Sequence, residues 1–196
     1  MSAFKVLAIV AAALPTVFTA GAQTQPVTLK SPNGELEISI ATLRGRNPDA
    51  AGGQLAYSIA FRAQPVLEWS NLGLLLDGAP ALGPAVRIET SQQSSQDETW
   101  KPVHGKTSPI RNQYNAVAVQ TVETGQPARR LVVEARAYDD GVAFRYIVPE
   151  QPGVQEMRIL NEATQFRFTR DAMTYPLISR GFQLSLIHIS EPTRPY

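Results

Sequence analysis

One stretch of the sequence concentrates the side chains that could bind or react. It runs from Asp97 to Gly105 and from Pro109 to Asn115, and it contains carboxylates, an imidazole, an indole, a phenol, a guanidinium and amides. Pro102, Gly105 and Pro109 interrupt it, so the pattern predicts a shaped loop rather than a helix. An alternating strand follows, and polar loops held by strands are common places for binding sites.

The same residues also fit a purely structural role. Trp100 and Tyr114 would then cap the end of a β-sandwich, and Arg111 would tie the loop down through Asp97 or Glu98. Structural ion pairs are a frequent alternative to functional sites. The sequence leaves both interpretations open.

Metal and catalytic sites are poorly supported. His104, Asp97 and Glu98 offer three candidate ligands, but their spacing matches no established metal motif. His104 is also the only histidine before the C-terminal tail, and no G-x-S-x-G, G-x-G-x-x-G or phosphate-loop motif occurs. We therefore assign no catalytic residue and no metal ligand to this chain.

Composition narrows the class of protein. The 196 residues include 18 basic and 17 acidic side chains, with a formal net charge of +1. Nucleic-acid binding usually needs a clustered basic face, so we expect no nucleic-acid partner. The chain has no cysteine, which excludes disulfides and thiolate metal sites.

Both ends differ from the central domain. Residues 1–22 have the charge, apolar core and small-residue cleavage site of a secretory signal, which predicts export to the periplasm or beyond. The alternative is a retained anchor, although the apolar run is short for a membrane span. Residues 184–196 resemble the in-frame translation of a sequencing adapter, so the native domain is expected to occupy 23–183 and to continue past Gln183.

Alternating apolar residues between turns predict an all-β fold, an antiparallel two-sheet β-sandwich. Strands are expected at 27–30, 36–40, 55–61, 86–89, 114–122, 129–137 and 142–148. Residues 65–69 and 72–76 are expected to pair with each other around Ser70-Asn71. Met157–Leu160 and Thr164–Phe168 are further strand candidates. Arg145 is expected to pair with Glu134 across strands.

Several motifs in order resemble the N-terminal domain of glycoside hydrolase family 97. They are DETWKPVHG from Asp97, PIRNQYN from Pro109 and YDDGVAFRY from Tyr138, with SPNG and LGL upstream. His104 and Ala116 depart from the tryptophan and glutamate usual in the family. The resemblance covers roughly residues 27 to 183, and the order of the motifs makes it specific.

The resemblance implies a sandwich of the galactose-mutarotase-like (super-sandwich) type. In the family, this sandwich precedes a catalytic (β/α)₈ barrel, and the enzymes are exo-acting α-glucosidases or α-galactosidases with a calcium-dependent site. The family's catalytic carboxylates lie in the barrel, which this chain is too short to include. One calcium-ligating glutamate of the sandwich lies beyond the point where the tail begins, so no calcium ligand is assigned here.

Three functions follow as hypotheses. The first is a non-catalytic sandwich that packs on its own barrel and helps bind an oligosaccharide or α-glycoside through Trp100, Arg111, Asn112 and Tyr114. The second is a stand-alone secreted carbohydrate-binding module with Trp100 as a stacking platform. The third, a mutarotase-like epimerase, needs a general acid and a base in one pocket, which His104 alone does not supply.

Overall fold

The computed structural model describes residues 25–44, 52–103, 109–151, 154 and 156–171. The predicted signal (1–22), the predicted tail (184–196) and His104 lie outside these residues. The described part contains ten strands and no helix, and so no helix that could cross a membrane. The strands are β1 (Val27–Lys30), β2 (Leu36–Leu43), β3 (Gln54–Phe61), β4 (Gln64–Asn71), β5 (Leu74–Leu76), β6 (Val86–Trp100), β7 (Ile110–Glu123), β8 (Arg130–Ala137), β9 (Val142–Ile147) and β10 (Ile159–Glu162).

Two four-stranded antiparallel sheets form the sandwich. One has the order β1-β2-β3-β4 and the other β6-β7-β8-β9, and a small sheet pairs β5 with β10. Each large sheet joins strands that are neighbours in the sequence, which short turns allow. At the first turn, Asn33 and Gly34 connect β1 to β2, and Gly34 has a φ of 75°, a left-handed value that glycine adopts without steric cost.

The core lies between the two large sheets. Ile38 and Ile40 from β2 and Leu55 and Tyr57 from β3 are fully buried. The facing sheet supplies buried residues from β7 and β8, namely Val117, Val119, Leu131, Val133, Ala135 and Ala137. Full burial of each large aliphatic side chain stabilises the fold by about 1.5–3 kcal/mol. The alternation that predicted these strands therefore also identified most of the core.

Tyr57 joins the two sheets and the C-terminal segment. Its ring centroid lies 5.1 Å from that of Phe144 in β9, and its hydroxyl donates to the carbonyl of Gln165 at 2.9 Å. Burial, with smaller contributions from Tyr146 and Glu162, raises the pKa of Tyr57 to about 12. The phenol therefore stays neutral as a hydrogen-bond donor in the core.

The prediction for 65–69 and 72–76 was wrong in its pairing. β4 pairs with β3, whereas β5 pairs with β10. The C-terminal segment runs along the other edge of β4, where Glu68 N–H donates to Arg167 O at 2.8 Å. Leu72 and Gly73 separate the two strands without a tight turn. β4 therefore pairs with the preceding β3 across the turn at Arg62 and Ala63, and β5 pairs with the distant β10. Thr164–Phe168, predicted as a strand, forms only an isolated bridge at Phe168.

Candidate functional site

The stretch that was predicted as a loop is mostly a β-hairpin. β6 continues to Trp100, β7 begins at Ile110, and the two strands stay in register from Thr90–Gln120 to Trp100–Ile110. The prediction was wrong because residues 91–100 are polar on both faces and show no alternation. Their backbone groups pair with β7, whose inner half is held by the core. We call Gln96–Trp100 with Ile110–Tyr114 the tip.

Strand alternation divides the four predicted site residues between two faces. Trp100 is opposite Ile110, so its side chain shares a face with those of Asn112 and Tyr114. Arg111 projects to the other face, which continues into the buried row of Val117 and Val119. The four residues therefore do not converge on one pocket, a separation that proximity in sequence had hidden.

Arg111 forms a two-point ion pair with Asp97. Its Nε and Nη2 donate to the two carboxylate oxygens at 2.8 and 2.7 Å. Both side chains remain exposed, at 59% and 51%. The hydrogen bond from Arg111 holds the pKa of the Asp97 carboxyl below its usual value, and Asp97 raises the pKa of Arg111. The structural alternative, in which Arg111 ties down Asp97, is what the geometry shows.

Asn112 forms a hydrogen bond on the outer face of the hairpin, the face opposite the buried row of Val117 and Val119. Its side-chain amide donates to Glu98 Oε1 at 2.8 Å, and Gln96 donates to Glu98 Oε2 at 3.3 Å. Glu98 therefore accepts from two neutral amides across the hairpin. These contacts order the outer face of the tip, and they leave the second amide hydrogen of Asn112 and further lone pairs of Glu98 for a ligand.

Tyr114 belongs to an aromatic cluster that the sequence analysis did not assemble. Its ring lies 5.2 Å from Tyr138, and the guanidinium of Arg136 stands over its face at 4.6 Å. A hydrogen bond with Tyr138 is the main cause that raises the pKa of Arg136. Arg136 is opposite Ala116 in the β7–β8 ladder, on the same face as Tyr114. The alternation of β8 was therefore the signal that could have revealed Arg136 as a partner of Tyr114.

Glu134 completes the outer face below this cluster. Arg145 donates to Glu134 Oε2 at 2.6 and 3.0 Å, and Arg136 donates to Oε1 at 3.2 Å. The predicted cross-strand pair of Glu134 and Arg145 is thus confirmed. The hydrogen bond from Arg145 is the largest influence holding the pKa of Glu134 below its usual value. A groove of about 210 Å³ follows these side chains together with Tyr138, Ala143 and Phe144.

Trp100 is the most available aromatic side chain of the tip. It is 52% exposed, and Val103, three residues further along the chain, is 89% exposed. Arg136 already stands over one face of the Tyr114 ring, so within the tip Trp100 offers the more accessible ring for stacking. The tip is therefore suited to contact with a ligand or a protein surface.

The described residues do not form a calcium site. No three side chains of His, Asp or Glu come together within the part of the chain that the structure describes. Calcium needs six to eight oxygen ligands, and the carboxylates of the tip instead pair with Arg111 and Asn112.

Comparison with known proteins agrees with this architecture. The family model described as glycosyl-hydrolase 97 N-terminal matches residues 29–184. A retaining alpha-galactosidase from Bacteroides thetaiotaomicron is 26% identical over 155 residues, which are 79% of this chain and 21% of that protein. A probable retaining alpha-galactosidase from Streptomyces bingchenggensis is 28% identical over 132 residues, 65% of this chain and 19% of that protein.

Solved structures show the same fold. A glycoside hydrolase family 97 enzyme from Pseudoalteromonas sp. strain K8, in complex with panose, superposes with a TM-score of 0.66 and 28% identity. The match covers 73% of this chain and 20% of that enzyme. A beta-arabinopyranosidase with 22% identity and a TM-score of 0.61 shares the fold. The chain spans about a fifth of the length of the relatives it matches, and it belongs to the glycosyl-hydrolase 97 N-terminal family.

Proposed function

We propose that this chain is the non-catalytic N-terminal sandwich of an exo-acting α-glucosidase or α-galactosidase. The observation that carries the proposal is the family match over residues 29–184, with relatives that are alpha-galactosidases. The catalytic carboxylates would lie in a (β/α)₈ barrel, and the substrate would be an oligosaccharide or other α-glycoside. A calcium ion bound to the longer enzyme is part of this proposal, with ligands outside the described residues.

The tip is the proposed surface of contact with the barrel and the sugar. Residues 89–100 of β6 are exposed throughout. Trp100 offers an apolar ring that a partner surface would cover. Asn112 and Tyr114 lie on the same face, and Arg111 would serve the opposite face. A barrel docked at the tip would then use all four residues.

A long sequencing read across the codons for Gln183 and Leu184 tests the first part. We expect the reading frame to continue into several hundred residues of βα repeats, with none of the adapter-like tail. If the native frame stops at Tyr196, the barrel does not exist, and this function is overturned.

Substitution of Arg111 tests the second part. In the longer enzyme, Arg111→Ala is expected to lower hydrolysis of an α-glycoside by several-fold. Arg62→Ala is the matched control, because Arg62 also makes a two-point exposed pair, with Glu35 at 3.0 and 3.1 Å, away from the tip. If Arg111→Ala leaves both stability and hydrolysis unchanged, Arg111 has no role in the site.

The exposed ring of Trp100 supports a second candidate, a stand-alone carbohydrate-binding module. Stacking of a sugar on that ring predicts heat on calorimetric titration with maltose or melibiose, and Trp100→Ala should abolish this heat. If Trp100→Ala leaves the titration of this chain unchanged, the module hypothesis fails, and the first proposal is unaffected.

We also propose that the protein is exported to the periplasm or secreted. The support is the signal-like segment 1–22, with Ala20-Gly21-Ala22 before Gln23. Mass spectrometry of the protein expressed in a Gram-negative host should find a mature N-terminus at Gln23. An intact N-terminus in the cytoplasmic fraction would contradict export.

A further inference from the structure

We propose that a cavity at the base of the β6–β7 hairpin, opposite the tip, binds a neutral sugar through Arg129 and Glu123. The cavity holds about 570 Å³, within the range of about 300–1,000 Å³ typical of small-molecule sites. This site is separate from the tip and does not depend on the function proposed above.

The floor of the cavity carries a buried ion pair. Arg129 Nε and Nη2 donate to the two oxygens of Glu123 at 2.6 Å each, and Nη2 also donates to Pro80 O at 2.9 Å. The side chains are only 8% and 12% exposed. Burying such a pair has a desolvation cost, so its presence at a cavity wall calls for a function or a strong structural reason.

The pair still has hydrogen-bonding capacity directed at a ligand. Nη1 of Arg129 has no partner among the described residues, and no enclosed side-chain nitrogen or oxygen there lacks one. Arg129 lines the cavity, and in this proposal Nη1 is its donor to a ligand. A carboxylate can accept about four hydrogen bonds, and Arg129 uses two of those of Glu123. A free donor thus lies beside a free acceptor.

This arrangement selects a neutral hydroxylated ligand. A hydroxyl group both donates and accepts, so neighbouring hydroxyls of a sugar can satisfy Nη1 and Glu123 together. The charged groups around the described cavity are three carboxylates against two guanidinium groups, which disfavours an anion. They are Asp77, Glu123 and Glu156, and Arg129 and Arg158.

The walls supply the apolar part of the site. They are mainly aliphatic and include Leu76, Pro80, Pro84, Pro127 and Met157. Aliphatic walls with a few placed polar groups are the usual composition of ligand sites. They can pack against the C–H face of a pyranose, and the volume accommodates one or two sugar rings.

Amide chemical-shift mapping of the full chain tests the proposal with maltose and melibiose. We expect saturable shifts at Gly78, Gly125 and Glu123 and none at Asn112. Ala79→Phe places a ring at the cavity wall. The sugar affinity measured from these shifts should then fall at least about tenfold. Val103→Phe, which adds the same ring at an exposed position after the end of β6, is the matched control and should bind as before.

Several results would overturn the proposal. Shifts confined to the tip, shifts that persist in Ala79→Phe, or no shifts at high sugar concentration would each do so. Cyclohexanemethanol serves as an apolar probe. If it shifts the same amides and neither sugar does, the cavity is a hydrophobic pocket rather than a sugar site. The spectrum of Ala79→Phe also shows directly whether that variant is folded.

Discussion

The long β6–β7 hairpin has an arginine–carboxylate pair of the same geometry near each end, in opposite surroundings. At the tip, Arg111 donates two hydrogen bonds to Asp97 at 2.7–2.8 Å, and more than half of each side chain is exposed. At the base, Arg129 donates two to Glu123 at 2.6 Å, and about nine-tenths of each is buried. Judged by hydrogen-bond distance alone, the two pairs would be expected to stabilise the fold about equally.

Their surroundings make the energetic consequences different. At the tip, water can replace either partner and salt screens the attraction, so the pair adds little to folding. At the base, removal of one partner leaves the other charged and desolvated. Burial, rather than hydrogen-bond length, therefore decides which pair the fold depends on. The two ends also differ in shape, since the tip is exposed and the base borders a cavity.

The largest effect is expected at the base. Glu123→Ala should lower the free energy of unfolding by about 3 kcal/mol, because Arg129 would remain buried without its carboxylate. Urea denaturation of the full chain measures this change. The double variant Glu123→Leu/Arg129→Met removes both charges and should recover most of the loss. A loss below about 1 kcal/mol in the single variant would show that the base behaves like the tip.

Glu134 provides an intermediate case, since its side chain is 19% exposed and contacts Arg145 and Arg136. Glu134→Gln should cost about 1 kcal/mol at neutral pH. The folded-state pKa lies below the unfolded value of about 4.3, so the stabilisation is complete above that value and is lost as the pH falls through the folded pKa. Urea midpoints measured from pH 7 to pH 3 should therefore converge for the two proteins. Parallel curves would contradict the assignment.

The smallest effect on stability is expected at the tip. Arg111→Ala should leave the urea midpoint unchanged within error, yet it should raise the pKa of Asp97 toward the ordinary value of an aspartate. The reason is that the Arg111 hydrogen bond holds that pKa down in the folded state. An NMR titration of the Asp97 carboxyl carbon measures the pKa, with Arg62→Ala as control. If the midpoint falls as far as in Glu123→Ala, the comparison between the two ends is wrong.

The alternation of apolar and polar residues predicted the strands that border the core. It failed where both faces of a strand are exposed to solvent. β2, β3, β8 and β9 were found because apolar residues recur at every second position. β6 was predicted only at 86–89, since Ser91–Gln96 has no apolar side. Its outer half is a strand because β7 offers backbone partners, and that information lies elsewhere in the chain.

The candidate site was predicted in part. The sequence named the tip residues and the Glu134–Arg145 pair, since both follow from spacing along strands and from motifs. It did not place Arg111 on a different face from Trp100, because that separation depends on where β6 and β7 begin and on their register. Arg136 and Tyr138 were missed as partners of Tyr114 for the same reason.

By itself, the sequence determined the all-β class, most of the core and the family, because all three depend on local patterns and on the order of motifs. The tertiary structure alone decided which arginine is buried. Arg111 and Arg129 each have an acidic partner, 14 and 6 residues away in the chain, and this spacing does not say which pair is buried. The difference arises because the loops after β5 and β7 line the cavity around Arg129, whereas Arg111 lies at the exposed tip. Desolvation is a property of the packed surroundings, so it could be read only from the folded chain.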